Sequence, residues 1–300
     1  MIPDPGSGRM LRAFAIVACI ACAVTSFVDL GGCADPRPSA AGKRRIVSIG
    51  GAITETVFAL GAGDDVVAVD TSSVYPEATA GLPKVGYQRT LSAEGILALA
   101  PDLVIVSDEA GPPATLAQLR AAGVRVAQMP SAKTTEAAIA RVVTVGKAIG
   151  RPTADHAAQM TRDIAAARAR VAVAGPRFVL VYARGAGTLM VAGSDTAGAA
   201  MVALAGGRNA VAGLTGFKPL SPEILIDAAP DVIVVPVRGL ATLGGEHGLL
   251  AVPGVAETPA GRQRRIVAFD DLLLLGFGPR LATAIDGLAR ALRVEVATPR

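Results

Sequence analysis

The sequence predicts an α/β fold of two similar lobes, each with a mainly parallel sheet, joined by a long helical connector. Three observations support this. Short β-branched runs alternate with segments of helical period on both sides of the chain's middle, the pattern of strand and crossover helix in a parallel sheet. Between them, Thr134 to Val173 is rich in Ala, Arg and Thr at helical period and lacks β-character. A segment of the first half also recurs in the second, which points to duplication. A chain of 300 residues is long enough to give both lobes a core without disulfide or metal staples.

The elements follow in order. Residues 1–32 read as an export signal: Arg9 and Arg12 give a positive start, and Ala13 to Val28 is an apolar run ended by Asp29. Met10 opens a leader of more usual form than Met1. Leu30-Gly31-Gly32-Cys33 has the form of a lipobox, which makes Cys33 the lipid-bearing mature N-terminus. Cleavage after a small residue, releasing a free protein, is the other reading. All three cysteines (Cys19, Cys22, Cys33) fall here, so they form no disulfide framework for the domain. Residues 33–43 are a Pro/Ser/Gly/Ala spacer.

The N-terminal lobe, 44–133, is expected to alternate strand Ile46 to Ile49, helix Thr54 to Leu60, strand Val66 to Val69, a helix capped by Ser92 and stopped by Pro101, strand Asp102 to Val106, helix Thr115 to Gly123 and strand Val124 to Met129. The connector, 134–174, is broken once, around Gly150 and Pro152. The C-terminal lobe, 175–300, resumes with strands Phe178 to Tyr182 and Thr188 to Ala192 and a helix over Thr196 to Leu204. After these come a helix in SPEILIDAA, strands DVIVV and IVAF, and a closing helix from Pro279 to Leu292.

LSAEGILALAPDLVIV (Leu91 to Val106) aligns without gaps on LSPEILIDAAPDVIVV (Leu220 to Val235). FALGAGDDVVAV aligns more weakly on VALAGGRNAVAG. Glu94 and Glu223 thereby hold equivalent places in the first turn of a helix, where a carboxylate favours the helix dipole and joins a capping interaction.

Composition narrows the function. Mean hydropathy is +0.48, but only the leader is continuously apolar, so a multi-span membrane protein is not expected. A chain that is 51% hydrophobic with 18% charged residues does not fit disorder. A net charge of +4 spread over the whole chain is too small to imply nucleic acid, and no basic stripe is interleaved with aromatics. No HExxH, histidine pair or cysteine cluster supports a zinc site. His156 reads as a solvated connector residue, and His247 as part of a mobile loop near the cleft. Gly50-Gly51 and Gly185-Ala186-Gly187 do not form the GxGxxG turn of a dinucleotide site; they read as tight turns or as points where backbone approaches a flat ligand. Ser48 and Ser194 have no His/Asp companions at a recognisable spacing, so catalysis is not indicated.

Ligands of open α/β sheets lie beyond the carboxyl ends of the strands, and two such lobes enclose a ligand in a cleft. With only three tyrosines and no Trp, two Tyr-x-Arg sites stand out: Tyr87-Gln88-Arg89 before the Leu91 helix, and Tyr182-Ala183-Arg184 at a strand end. Tyr75, before Pro76, reads as loop packing.

The motifs VSIGGAITETVFALG, VGYQRTLSAEGIL, YARGAG, AGGRNAV, GFKPLSPE and DDLLLLGFGPR resemble, in order from Arg44 to Leu292, the haem-binding proteins of bacterial ABC importers. These belong to the helix-linked (class III) periplasmic binding proteins, which also include cobalamin and siderophore binders. The resemblance implies a periplasmic or outer-face location, haem as transported ligand rather than catalytic cofactor, and delivery to an ABC permease dimer and its ATPase. It implies Tyr87 as the axial iron ligand of the first lobe, and Tyr182 with Arg184 as a ligand and its supporting arginine in the second; one or both bind iron, and no metal is expected except through haem. The chemistry agrees, since ferric iron is a hard cation suited to phenolate oxygen. A phenol of pKa about 10 needs coordination and a nearby guanidinium to favour that form. Arg89, Arg184 and Arg238 are the expected partners of haem carboxylates, whereas Arg262, Arg264 and Arg265 read as surface residues. The resemblance also implies that Glu94 and Glu223 dock on permease arginines. Another chelate, cobalamin or a ferric siderophore, and an exported bilobal α/β enzyme stay open as alternatives.

Overall fold

A computed structural model describes residues 43–171, 175–184 and 188–292. The expected leader, Cys33, Gly185-Ala186-Gly187 and the side chain of Arg184 lie outside the described residues.

The first sheet contains β1 (Ile46–Ile49), β2 (Val66–Val69), β3 (Leu103–Ser107) and β4 (Arg125–Met129), in the order β2-β1-β3-β4 with every pair parallel. Its crossovers use α1 (Gly51–Ala59), α2 (Ala93–Leu97) and α3 (Pro113–Ala121). The inner strands β1 and β3 are largely apolar because both faces are covered, whereas the edge strand β4 exposes Arg125 and Gln128. With side chains alternating across the sheet, Ile46, Leu103 and Ile105 enter one core cluster while Val47, Ile49, Val104 and Val106 enter another.

The connector stretch forms two helices, α4 (Thr135–Ile149) and α5 (Ala154–Ala169), separated by a break at Gly150, whose left-handed backbone (φ 65°) caps α4. A residue with a Cβ is costly in that region, so Gly ends the helix there.

The second sheet is made of β5 (Arg177–Arg184), β6 (Thr188–Ala192), β7 (Arg208–Asn209), β8 (Phe217–Pro219), β9 (Val232–Pro236) and β10 (Ile266–Phe269), ordered β10-β9-β5-β6-β8 with β7 beside β5. Pairing is parallel through β10, β9 and β5 and antiparallel through β6 and β8. Only residues 185–187 separate β5 from β6, too few for a parallel crossover, so these two strands must run in opposite directions. Its helices are α6 (Ala197–Leu204), α7 (Pro222–Ala228), α8 (Val237–Thr242), α9 (Gly245–Leu250), α10 (Pro259–Arg262), α11 (Asp271–Leu275) and α12 (Leu281–Leu292).

The segment around His247 is the helix α9 rather than a loop; Leu249 on the same turns is fully buried in the second sheet's outer core, and that burial anchors the helix while His247 faces solvent.

One apolar cluster runs through both halves. Ile46 and Ile105 of the first sheet share it with Phe178, Leu180 and Val234 of the second, across α1, α4, α5 and α12. The inner faces of the two sheets therefore rest on a common helical layer, while their outer faces have separate cores. Large relative rotation of the sheets would expose part of this shared cluster to water.

The repeat is visible in hydrogen bonds. Ser92 and Ser221 each cap their helix by accepting from the N–H three residues on (Gly95, Ile224). Ala100 and Ala229 both take positive φ, 43° and 39°. Asp102 accepts the Arg45 backbone N–H at 2.9 Å, and Asp231 accepts that of Arg177 at 2.8 Å. In each copy a helix, a strained turn and a carboxylate clamp tie the incoming strand to its neighbour.

Among the described residues, no helix is long and apolar enough to cross a membrane.

Candidate functional site

A cavity of about 510 Å³ is walled by both halves of the fold, within the size range of small-molecule sites. The turn before α2 brings in Tyr87. Its carbonyl accepts from Thr90 N at 2.9 Å, closing the turn, and the Gln88 carbonyl accepts from Gly111 N at 2.9 Å. Ser107 Oγ, at the end of β3, donates to Gln88 Oε1 at 3.1 Å. These bonds fix the loop on the carboxyl end of β3 and leave the Tyr87 side chain on the cavity wall with the residue 42% exposed, accessible to a ligand.

The opposite wall is the antiparallel extension of the second sheet. Tyr182 pairs with Met190, and Met190 with Pro219; the Tyr182 ring lies 5.4 Å from that of Phe217, tilted by 44°. Tyr182, Met190 and Phe217 thus make an apolar face on the cavity. Phe217 is missed by a search for iron ligands alone, and its strand, β8, is too short to announce itself in the sequence.

Gly50 and Gly51 line the cavity between β1 and α1. Gly50 has φ 105°, and a Cβ on Gly51 would meet the Ser72 carbonyl oxygen at 2.8 Å. The turn is held by Asp70, fully buried, whose Oδ1 accepts the Gly50 N–H at 2.9 Å and the Ser73 hydroxyl, while Oδ2 accepts the Ser72 N–H and hydroxyl. Ser48 joins this network through Thr54, at 2.8 Å, and Thr54 bonds Ser73 at 2.7 Å. Satisfied buried networks of this kind rigidify what they hold. Ser48 is accordingly a structural hydroxyl, as is Ser194, whose Oγ donates to the Leu214 carbonyl at 3.0 Å.

Among the described residues, four cationic side chains line the wall: Arg89, Lys133, Arg141 and Arg238. Arg89 is bound to Glu109, Lys133 Nζ lies 3.0 Å from Asp195 Oδ1, and Arg238 Nε lies 3.2 Å from Asp271 Oδ2. Arg238 follows β9 in the first turn of α8, and its backbone N–H also donates to Asp271. Arg141, on α4, was not anticipated. It is only 5% exposed, donates through Nη2 to the Gly276 and Phe277 carbonyls, and its Nε has no partner among the described residues. Burial pushes its guanidinium pKa down to about 10, against the pull of Glu55 and Asp108, so it remains a cation at neutral pH.

Glu94 and Glu223 are outside this cavity, each the second residue of its helix. The backbone N–H of Glu223 itself, and then the Ser221 hydroxyl, hold its carboxyl below its ordinary value of 4.5. His156 is exposed on α5, and neither histidine is on the cavity wall. No group of three His, Cys, Asp or Glu residues able to hold a metal ion occurs among the described residues. Tyr75 packs under a guanidinium: the Arg280 carbon Cζ lies 3.5 Å from its ring centroid.

A family model described as periplasmic binding protein matches residues 46–272. The periplasmic heme-binding protein RhuT from Roseiflexus sp. RS-1 is 52% identical, with a TM-score of 0.81 over 84% of this chain and 98% of its own. The periplasmic heme-binding protein BhuT, in complex with two hemes, is 46% identical, with a TM-score of 0.78 over 84% of this chain and 98% of its own. An uncharacterized ABC transporter substrate-binding lipoprotein of Bacillus subtilis strain 168, YvrC, is 27% identical over 83% of this chain and 80% of its length.

Proposed function

Because the chain belongs to the periplasmic binding protein family, we propose that it binds haem outside the cytoplasm, in the cavity between its two sheets, and delivers it to an ABC permease and ATPase. The observation that carries this reading is the cavity wall itself: an exposed phenol, Tyr87, on one side and the Tyr182, Met190 and Phe217 face on the other. Likeness to RhuT and BhuT at 52% and 46% identity supports it. An apolar macrocycle needs such a face, and its ferric iron needs a hard oxygen donor.

In this reading Tyr87 is the principal iron ligand and Tyr182 the second candidate from the opposite wall. Arg89 and Arg238, with Arg184 at the end of β5, meet the carboxylates of the ligand. Glu94 and Glu223 form the docking points for the two permease subunits, supported by their equivalent places in the repeat. Cys33 carries a lipid tether to the outer face of the membrane, in keeping with the lipoprotein of Bacillus subtilis. Lipid chains contribute about 0.8 kcal/mol per buried CH₂.

Equilibrium dialysis of the purified mature protein against haemin, cyanocobalamin and a ferric siderophore tests the reading. Saturable retention of haemin that the other two fail to displace is expected. Retention of cobalamin or the siderophore in preference to haemin would assign a different chelate.

A further inference from the structure

Six charged residues on the cavity wall form three ion pairs: Arg89 with Glu109, Lys133 with Asp195, and Arg238 with Asp271. The pairs differ in position. The first ties the loop before α2 to the segment after β3; the second reaches from the loop before α4 to the loop before α6; the third joins α8 to α11. In each pair the cation's side chain is about half exposed, at 44%, 43% and 58%. Arg89, Lys133 and Arg238 are therefore already neutralised by the protein, whereas buried Arg141 is held, among the described residues, by backbone carbonyls alone.

The geometry points to carboxylate exchange: on entering the cavity, a carboxylate of the ligand replaces Glu109, Asp195 or Asp271 at its cation, and the displaced side chain turns to solvent. This rests on the haem reading, since haem carries two propionates. The Arg89–Glu109 and Lys133–Asp195 pairs are exposed on both sides and so weak, which makes exchange inexpensive there. The Asp271 side chain is only 18% exposed and also accepts the Arg238 N–H, so its pair is the hardest of the three to open. None of these three cations is stranded, because Arg89, Lys133 and Arg238 each have a carboxylate partner before binding, during binding and after release. Glu109, Asp195 and Asp271 are then internal competitors: they lower affinity for the ligand, ease its transfer to a permease, and discriminate against ligands without carboxylates, which cannot recruit the cations.

Haemin and haemin dimethyl ester, whose carboxylates are blocked, are titrated into wild type, Glu109→Gln, Asp195→Asn and Asp271→Asn at fixed ionic strength. The control is Asp163→Asn, on α5 away from the cavity. At least one of the three cavity variants should bind haemin about two- to fivefold more tightly than wild type, as expected for removing an exposed competing pair. The ester and the control should show no gain. The Glu109→Gln gain should also vanish in an Arg89→Gln background. Unchanged or weaker haemin binding in all three variants with intact circular dichroism, or an equal gain for the ester, overturns the exchange alone. Failure of wild type to bind haemin at all overturns the haem reading and the exchange with it.

Discussion

Arg280 at the start of α12 grips Glu55 of α1 with three donors: its backbone N and Nε reach Oε1 at 3.1 and 3.0 Å, and Nη2 reaches Oε2 at 3.0 Å. The same guanidinium lies on the Tyr75 ring. An element of the second half is thus fastened to the first half by a bidentate ion pair and a cation–π contact, beside the shared apolar cluster. Glu55 is only 3% exposed, which makes this pair unlike the exposed pairs of the cavity.

Breaking it from one side leaves a buried charge without its partner, a change that costs about 3–5 kcal/mol in comparable sites. Arg280→Met should lower the free energy of denaturation by about 3 kcal/mol, read from urea unfolding. The Glu55→Gln/Arg280→Met double variant should lose less than the sum of the single variants. Additive losses would show that the two side chains do not act as a pair.

The repeated aspartate clamps should be energetically alike. Asp102→Ala and Asp231→Ala each remove a charged acceptor from a backbone N–H at a strand entry. Each should cost about 1–2 kcal/mol, with the two losses similar in size. A negligible effect of one and a large effect of the other would contradict equivalence of the two copies.

Phe217 supplies the aromatic neighbour of Tyr182 in the cavity. Phe217→Ala should weaken haemin binding about three- to tenfold, the value of a lost aromatic contact, while thermal stability changes little because the residue is 40% exposed. Undiminished affinity would remove this face from the ligand site.

Glutamine at Glu94 and Glu223 keeps a side chain able to cap the helix but removes its charge. The Glu94→Gln/Glu223→Gln double variant should retain haemin binding, with at most a small drop in thermal midpoint from the lost first-turn charges, while losing stimulation of the transporter's ATPase; normal stimulation would refute docking through these residues. For Glu223 the sign of the pH effect is fixed. Its pKa in the fold is lowered, so its support of α7 is present above the unfolded value and is lost as pH falls through the lowered one. A carboxyl NMR titration should give a midpoint below 4.5; a midpoint at or above it would contradict the capping role.

Much of this architecture is legible locally. β3 and β9 are visible because strands covered on both faces need runs of Ile, Val and Leu, β1 because Ser48 alone interrupts such a run, and α2 and α7 because Ser92 and Ser221 cap them. Tyr87 and Tyr182 stand out through the scarcity of aromatics. What the sequence hides is pairing at a distance. Nothing in a local pattern links Glu55 to Arg280, Asp70 to Gly50, or Arg141 to the carbonyls of Gly276 and Phe277. The α9 helix was hidden because Gly244, Gly245 and Gly248 resemble loop composition, whereas burial of Leu249 decides its structure. The carboxylates facing the cavity cations were missed because a search for cations that greet a ligand does not ask what neutralises them.

Assignment of the iron ligand tests the central claim most directly. The visible and resonance Raman spectra of ferric haemin bound to wild type should show a high-spin phenolate complex. The signature should disappear in Tyr87→Phe, a change that removes only the hydroxyl, with Tyr182→Phe reporting the part played by the opposite wall. A phenolate signature that survives unchanged in Tyr87→Phe would contradict Tyr87 as the ligand, and one that survives in the Tyr87→Phe/Tyr182→Phe double variant would contradict the tyrosine site altogether.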